Sequence, residues 1–238
     1  MNTLPDLGYV VMRGCIDQML VRRAAQEAVR LGMMPPKGVR LYEEIVEGHR
    51  VPARVEGVVH VKGALGDLVT LAHKFAENAT GRELAVFKDK VNFKRPGGGG
   101  FVAHQDSPAY FPHGSWHVSV LVPLVPFTKH NGTLEVHRRV PQRPMPELAA
   151  LDYSLVPLAP GDCLVFDGLV PHRSGPNTTK QPRIGLYLTF VKQEEAGARD
   201  VYNAERERGT RGLSLAQVDF TGNLAPSRWL RTTEHANL

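Results

Sequence analysis

The chain has 238 residues, of which 42% are hydrophobic and 22% are charged. This length and composition suit a globular protein with a substantial core, and they exclude a disordered tail, a coiled coil and a disulfide miniprotein. The formal net charge of +5 comes from basic residues scattered along the sequence, so we expect no nucleic-acid partner. No apolar run approaches the roughly 20 residues that span a membrane, and the first residues do not resemble a signal peptide. With only two cysteines, Cys15 and Cys163, a cytoplasmic location is expected.

Residues 1–80 predict a mostly helical N-terminal layer. Residues 8–15 have the character of a short strand, and apolar residues spaced three or four apart predict helices over 16–31 and 63–79. Between these helices, residues 33–56 contain three prolines and charges of both signs. This pattern predicts a long irregular segment, which in a domain of this size would be functional or mobile, as a lid over a site is.

Residues 84–192 change to short strand-like runs separated by glycine, proline and asparagine. Many short strands without intervening helical patterns predict a mainly β fold, namely a jelly-roll core with flanking α-helices. Residues 193–238 form a polar extension, whose first part predicts surface helix and loop with a solvated charged face. With no repeat or linker, we expect residues 1–238 to form a single domain.

Two histidines and one aspartate carry the clearest chemical signal. His104 and Asp106 are two residues apart, so in a strand their side chains point the same way. His172 follows the strand predicted within PGDCLVFDG (160–168). If the two strands are neighbours, these residues form a two-histidine, one-carboxylate triad, which leaves open sites on iron and is typical of non-haem Fe(II) oxygenases. Core or surface polar residues held by hydrogen bonds are the alternative interpretation of each residue taken singly.

Arg183 lies eleven residues after His172 on the next predicted strand. A guanidinium binds a carboxylate through two hydrogen bonds, and here the partner would be the distal carboxylate of 2-oxoglutarate. Ser174 could donate a further hydrogen bond to the same carboxylate. A structural ion pair is the alternative for Arg183.

These pieces resemble the phytanoyl-CoA dioxygenase superfamily of Fe(II)- and 2-oxoglutarate-dependent oxygenases over about residues 84–192. The resemblance rests on FKDKVNFKRPGGGGFVAHQD (87–106), NGTLEV (131–136), PGDCLVFDG (160–168), PHRSGPN (171–177) and Arg183. Within the superfamily, the first block is similar to aminoalkylphosphonate dioxygenases and to the orthosomycin-associated oxygenases of oligosaccharide-antibiotic biosynthesis.

The resemblance implies a double-stranded β-helix that uses Fe(II), 2-oxoglutarate and O2. It places iron on His104, Asp106 and His172 and the cosubstrate on Arg183 and Ser174, with Phe101 and Asn92 beside it. Because Asp106 keeps a carboxylate at the metal, hydroxylation or ring closure is expected rather than halogenation. The expected reaction takes hydrogen from a C–H bond of a polar small molecule, preferably a carbohydrate or aminoglycoside-type natural product. Aminoalkylphosphonate hydroxylation is the alternative, and a non-catalytic cupin-like binding module is a remote one.

The face of the strand over 84–94 that carries Lys88, Lys90, Asn92 and Lys94 has two interpretations. It could be solvated, as we expect for the outer lysines, or Asn92 and Lys90 could face the cosubstrate. His137 is a rival third metal ligand but precedes the PGD strand, and His113 lies near the expected mouth. No basic cluster is evident for the phosphates of an acyl-CoA. The substrate candidates lie in the expected lid and after the iron strand, and they are Tyr42, Glu43, Glu44, Arg54, Glu56, Tyr110, Trp116 and His117.

Overall fold

The computed structural model describes residue 4, residues 8–138 and 143–208, and the backbone of 217–218, 224–225 and 230–231. The described chain contains three α-helices: α1 (Gln18–Met33), α2 (Ala64–Thr80) and α3 (Ala198–Glu207). Its strands, in chain order, are β1 (Tyr9–Met12), β2 (Arg40–Val46), β3 (His49–Glu56), β4 (Leu84–Lys94), β5 (Gly100–His104), β6 (Val118–Pro123), β7 (Leu134–Val136), β8 (Ser154–Val156), β9 (Cys163–Asp167), β10 (His172–Ser174), β11 (Arg183–Lys192), β12 (Gln217–Val218), β13 (Leu224–Ala225) and β14 (Leu230–Arg231).

The strands form two sheets whose described pairs are antiparallel, as expected for a jelly roll. The larger sheet has the order β1-β9-β6-β11-β4-β3-β2-β14, and the smaller has the order β13-β12-β5-β10-β7-β8. The predicted mainly β jelly-roll fold with flanking helices is confirmed. The pairing also places β10 between β5 and β7, so that the strands carrying the predicted metal ligands are direct neighbours.

Helices α1 and α2 pack together and against the larger sheet, and their inner faces supply much of the main core. The predicted bounds of both helices agree with the structure within about two residues. Asp17 caps α1 by accepting a hydrogen bond from the backbone of Leu20, and Glu27 accepts hydrogen bonds from the first backbone N–H groups of α2. Gly81 ends α2 in the left-handed conformation at φ 66°, which glycine adopts without strain. Among the described residues, no helix is long and apolar enough to cross a bilayer.

The expectation of an irregular segment over residues 33–56 is wrong. Most of this segment forms the hairpin β2–β3, which extends the larger sheet beyond β4. The strands are joined by Glu47 and Gly48, both at positive φ, which is the geometry of a tight two-residue hairpin turn. Pro52 cannot donate to a ladder, and the pairing shifts register opposite it, between Tyr42 and Glu43. The N-terminal layer is therefore part helix and part sheet.

Helix α3 confirms the helix expected after residue 192, but its inner face is not solvated. Tyr202 is 5% exposed and packs beside Phe87 of β4. Arg199 pairs with Asp89 at 2.5 Å, and His113 pairs with Glu205 at 3.1 Å. These contacts fix α3 against β4 and the turn that contains His113. The remainder of the predicted extension, from residue 209 on, lies outside the described side chains.

Candidate active site

His104, Asp106 and His172 come together at one end of the smaller sheet. His104 at the end of β5 directly opposes His172 at the start of β10. One potential ligand atom from each of the three side chains lies within 4.8 Å of the others. Such a set of two imidazoles and one carboxylate is the donor set of non-haem Fe(II) sites.

In both histidines, a hydrogen bond between Nδ1 and a backbone carbonyl fixes the tautomer of the ring. Nδ1 of His104 lies 2.7 Å from the carbonyl oxygen of Val102, and Nδ1 of His172 lies 3.0 Å from that of Val170. Because a carbonyl only accepts hydrogen bonds, each Nδ1 carries the proton and each Nε2 presents its lone pair to a metal. The residues present thus fit a bound Fe(II) ion.

The electrostatics of the triad also suit metal binding. Burial, together with the neighbouring His172, lowers the pKa of His104 to about 4, so its imidazole is neutral near pH 7. Burial acts to raise the pKa of Asp106, but electrostatic interactions with the neighbouring His172 and Lys90 outweigh it and lower that pKa to about 2. The hydroxyl of Ser119 donates to Oδ2 of Asp106 at 3.2 Å, which holds the carboxylate in place.

Arg183 and Ser174 lie deeper between the sheets. Arg183 is 2% exposed, stacks over Phe127 and donates to the carbonyl of Gly132. Its Nε has no hydrogen-bond partner in the part of the chain that the structure describes. Asn92 accepts a hydrogen bond from Nε of Arg54 at 2.9 Å. Several polar groups thus surround a space next to the triad that suits an acidic molecule.

A cation cluster, defined as Arg54, Lys88, Lys90 and Arg206, forms the other side of this space. Glu56 is the carboxylate paired with both arginines, at 3.5 Å from Nη1 of Arg54 and 2.7 Å from Nη1 of Arg206. Burial lowers the pKa of Lys88 to about 8 and that of Lys90 to about 7, and for Lys90 the charges of Arg54 and Lys88 act in the same direction. The expectation from the sequence that the chain has no basic cluster is therefore wrong.

The triad, the Arg183 region and the cation cluster line a single cavity of about 390 Å³. Among the described residues that line this cavity, Asp106 is the one with a carboxylate group. The full lining is Arg54, Lys88, Lys90, Asn92, Phe101, His104, Asp106, Ala109, Tyr110, Leu134, Phe166, His172, Arg173, Ser174, Arg183, Tyr187, Tyr202 and Arg206. All the residues predicted for iron and cosubstrate, and the substrate candidates Arg54 and Tyr110, belong to this set.

Three other substrate candidates do not line the cavity. Trp116 packs against the main core and donates from Nε1 to Asp167 at 2.6 Å, so its expected role in stacking on a sugar is wrong. His117 is fully buried behind Tyr110, with ring centroids 5.4 Å apart. Tyr42 lies behind Arg206 and accepts a hydrogen bond from its Nη2 at 2.7 Å. His117 and Tyr42 thus support lining residues rather than face the cavity.

The remaining candidates are engaged elsewhere. Glu43 pairs with Arg50 at 3.3 Å and Glu44 with Arg95 at 2.9 Å, outside the cavity lining. His137 lies 2.9 Å from the carbonyl of Asp152 and outside the cluster of potential metal ligands.

The sequence interpretation missed Lys88, Arg206 and Tyr202. Lys88 is 6% exposed, and its Nζ lies 3.0 Å from the hydroxyl of Tyr202, so the expectation of a solvated lysine face is wrong for it, as it is for the buried Lys94. Alternation along β4 correctly groups these lysines with Asn92, and helical spacing groups Tyr202 with Arg206. Neither pattern indicates that the shared face is turned inward.

Residues 6–185 match the family described as Phytanoyl-CoA dioxygenase (PhyH). The chain is 36% identical over 200 residues to a methylphosphonate hydroxylase of Gimesia maris, covering 78% of this chain and 74% of the relative. It is 30% identical over 222 residues to a 2-aminoethylphosphonate dioxygenase of an uncultured bacterium, HF130_AEPn_1, covering 85% of each.

A solved structure shares the fold at lower identity. It is the non-haem α-ketoglutarate-dependent epimerase SnoN from nogalamycin biosynthesis, with a TM-score of 0.69, 21% identity, and coverage of 79% of this chain and 80% of that one. The sequence resemblance to the superfamily is thereby confirmed. The chain belongs to the phytanoyl-CoA dioxygenase (PhyH) family and is a non-haem dioxygenase dependent on iron and 2-oxoglutarate.

Proposed function

We propose that this enzyme hydroxylates a small alkylphosphonate. In this proposal His104, Asp106 and His172 hold Fe(II), and Arg183 and Ser174 bind the distal carboxylate of 2-oxoglutarate, with Asn92 and Phe101 beside it. Bound iron and 2-oxoglutarate supply the oxidant for the C–H bond. The reaction consumes substrate, O2 and 2-oxoglutarate and yields the alcohol, succinate and CO2.

The observation that carries the proposal is the cation cluster beside the triad. A phosphonate near neutral pH carries up to two negative charges on oxygens that accept several hydrogen bonds, and arginine and lysine are its usual ligands. Lys90 and Lys88 are close enough to Asp106 for their charges to lower its pKa. A head group held by these cations therefore places its neighbouring carbon next to the iron site.

The residues that line the cavity also bear on whether the substrate carries an amino group. Binding an ammonium group in a buried site requires a carboxylate or several acceptors. Asp106 is the carboxylate among the described lining residues and belongs to the metal, while Glu56 is occupied by Arg54 and Arg206. The surrounding lysines would repel an ammonium. We therefore expect an alkylphosphonate without an amino group to be preferred over an aminoalkylphosphonate.

A carbohydrate or aminoglycoside substrate, preferred from the sequence alone, has less support. The cavity of about 390 Å³ must hold the cosubstrate as well, which favours a small substrate. The expected sugar-stacking Trp116 is absent from the lining. The likeness to an enzyme of nogalamycin biosynthesis concerns the fold.

Substrate-stimulated succinate release tests the proposal. The protein, loaded anaerobically with Fe(II) and then supplied with 2-oxoglutarate and O2, is offered methylphosphonate, ethylphosphonate, 2-aminoethylphosphonate, ethanesulfonate and an aminoglycoside. We expect the two simple phosphonates to stimulate most strongly. Stimulation by the aminoglycoside and by no phosphonate would contradict the proposal.

The variant Lys88→Met tests the role of the cation cluster. A charge-assisted hydrogen bond contributes about 1.5–3 kcal/mol, so this change should raise the KM for the phosphonate about ten- to a hundredfold. An unchanged KM for the phosphonate would remove Lys88 from the head-group site.

A further inference from the structure

Lys94, the last residue of β4, is a buried cation that none of the roles above uses. It is 4% exposed and does not line the cavity. Its Nζ donates to Oγ of Ser174 at 2.9 Å and to the carbonyl of Gly175 at 2.5 Å, and it lies 5.1 Å above the ring of Phe101. Lys94 is thus directly behind the residues proposed for the cosubstrate.

Lys94 also stands beside a second buried cation. In the pairing of β4 with β11 it is the direct partner of Arg183. Among the ion pairs of the described residues, none includes Lys94 or Arg183, and the nearby Glu135 is paired with Arg173 at 2.9 Å. Nε of Arg183 is buried and has no hydrogen-bond partner among the described residues. Two adjacent buried cations without a counter-ion are costly, and burial together with Arg183 lowers the pKa of Lys94 well below its usual value. An anion bound at this end of the cavity would favour the charged form of Lys94.

The hydrogen bond from Lys94 determines what the Ser174 hydroxyl can do. In its charged form the ammonium group of Lys94 only donates, so Oγ of Ser174 is then the acceptor in this contact. The hydrogen of the Ser174 hydroxyl then remains available for another acceptor. Because Ser174 lines the cavity, an acceptor bound in the cavity can receive this hydrogen.

We propose that Lys94 is a positioning residue for the distal carboxylate of 2-oxoglutarate. It makes the Ser174 hydroxyl a donor toward that carboxylate and adds a second positive charge beside Arg183. The proposal rests on the cosubstrate site described under the proposed function, and it is independent of the identity of the substrate.

The test is a titration of the anaerobic Fe(II)-loaded protein with 2-oxoglutarate in the absence of substrate. Binding is monitored through the visible charge-transfer absorption of the complex. We expect Lys94→Met and Ser174→Ala each to raise the Kd about tenfold. The double variant should raise it by less than the product of the two single effects, because Lys94 acts partly through Ser174. A rise in Kd of the double variant equal to the product of the two single effects would show that Lys94 does not act through Ser174, and would overturn the proposal.

The probe 2-oxopentanoate separates positioning from structural damage, because it has the keto-acid end of 2-oxoglutarate and no distal carboxylate. Its Kd should be unchanged in Lys94→Met, whereas an equal rise for both ligands would show a structural role and overturn the proposal. Lys192→Met is the control, a lysine at the end of the neighbouring strand β11 that lies outside the cavity lining and should leave the Kd for 2-oxoglutarate unchanged.

Lys94→Gln provides a second variant if the methionine variant fails to fold, since it keeps a donor but loses the charge. It should bind 2-oxopentanoate like the wild-type protein and 2-oxoglutarate more weakly. Wild-type binding of both ligands by Lys94→Gln would overturn the proposal. If the wild-type protein bound no 2-oxoglutarate, the cosubstrate assignment would fail, and this inference with it.

Discussion

Ser119 donates a hydrogen bond to Oδ2 of Asp106, the carboxylate of the candidate iron site, whereas Oδ1 is the oxygen nearer to His104. Partners of this kind orient metal ligands, and their loss typically lowers metal affinity ten- to a hundredfold. We therefore expect Ser119→Ala to raise the Kd for Fe(II) about tenfold in an anaerobic titration. Thr189→Val is the control, because Thr189 contacts Ser119 at 3.3 Å rather than Asp106. An equal loss in both variants would contradict a specific role for the Ser119–Asp106 hydrogen bond.

The pKa of Lys88 predicts how phosphonate binding responds to pH. Burial lowers this pKa to about 8, and binding of an anion favours the charged lysine. As the pH rises through about 8, Lys88 in the free enzyme loses its proton, and kcat/KM for the phosphonate should fall. A pH profile of kcat/KM measures this, and Lys88→Met should lack the part of the decline near pH 8 while keeping the part near pH 7 that Lys90 produces. The same decline in wild-type and variant would assign it to another group.

The metal ligands could be found from sequence because short-range rules govern them. Two-residue spacing puts His104 and Asp106 on one strand face, and the PGD turn predicts the strand before His172. Lys88 and Lys94 show the limit of such rules, because alternation groups side chains on one face without saying whether that face meets the cavity or solvent. Which face is inward depends on the second sheet, and that contact is between residues distant in sequence.

At the level of elements, the β2–β3 hairpin carries Arg54 and Glu56 into the site, and its turn depends on Gly48. Gly48 has φ 81°, and a Cβ added there would meet no atom of the described residues within 4 Å, but it would require a strained backbone. We expect Gly48→Ala to lower the free energy of unfolding by about 1 kcal/mol in urea titrations.

Gly197 offers the matched control for this change. It also has open space, but its φ is −65°, which any residue adopts. Gly197→Ala should change the free energy of unfolding by no more than about 0.5 kcal/mol. Equal effects at both positions would show that the positive φ of Gly48 is not what limits the turn.

The hairpin and α3 also show why elements were harder to predict than ligands. The prolines of residues 33–56 argue against a strand, yet Pro52 is tolerated because it lies at a register shift, outside the part of β3 that pairs with β4. The charges of α3 suggest a solvated surface, but Arg206 is held inward by Glu56 of β3. The pairing of β3 with β4 and the ion pair between α3 and β3 join residues distant in sequence, so local propensity does not predict either of them.

For the whole molecule, the buried ion pairs around Glu56 predict acid sensitivity. Burial alone would raise the pKa of Glu56, but the charges of Lys88, Arg54 and Arg206 lower it from 4.5 to about 2. A carboxylate with a lowered folded-state pKa stabilises the protein above its unfolded pKa, and this contribution is lost as the pH falls from about 4.5 toward 2. Urea unfolding of the iron-free protein across this range should show the loss.

Glu56→Gln provides the comparison for this acid sensitivity. It should be less stable than the wild-type protein at pH 7, and its stability should fall less steeply below pH 4.5. Parallel stability curves for the two proteins would assign the acid sensitivity to other carboxylates, such as Asp106.

The central claim, that this family member hydroxylates a simple alkylphosphonate, is tested most directly by one phosphorus NMR experiment. The Fe(II)-loaded enzyme is incubated with methylphosphonate, 2-oxoglutarate and O2, and the phosphorus signals are followed while succinate is quantified in the same samples. We predict that the methylphosphonate signal is replaced by that of hydroxymethylphosphonate, with one product formed per succinate. Succinate formation that leaves the methylphosphonate signal unchanged, and likewise that of ethylphosphonate, would contradict the account.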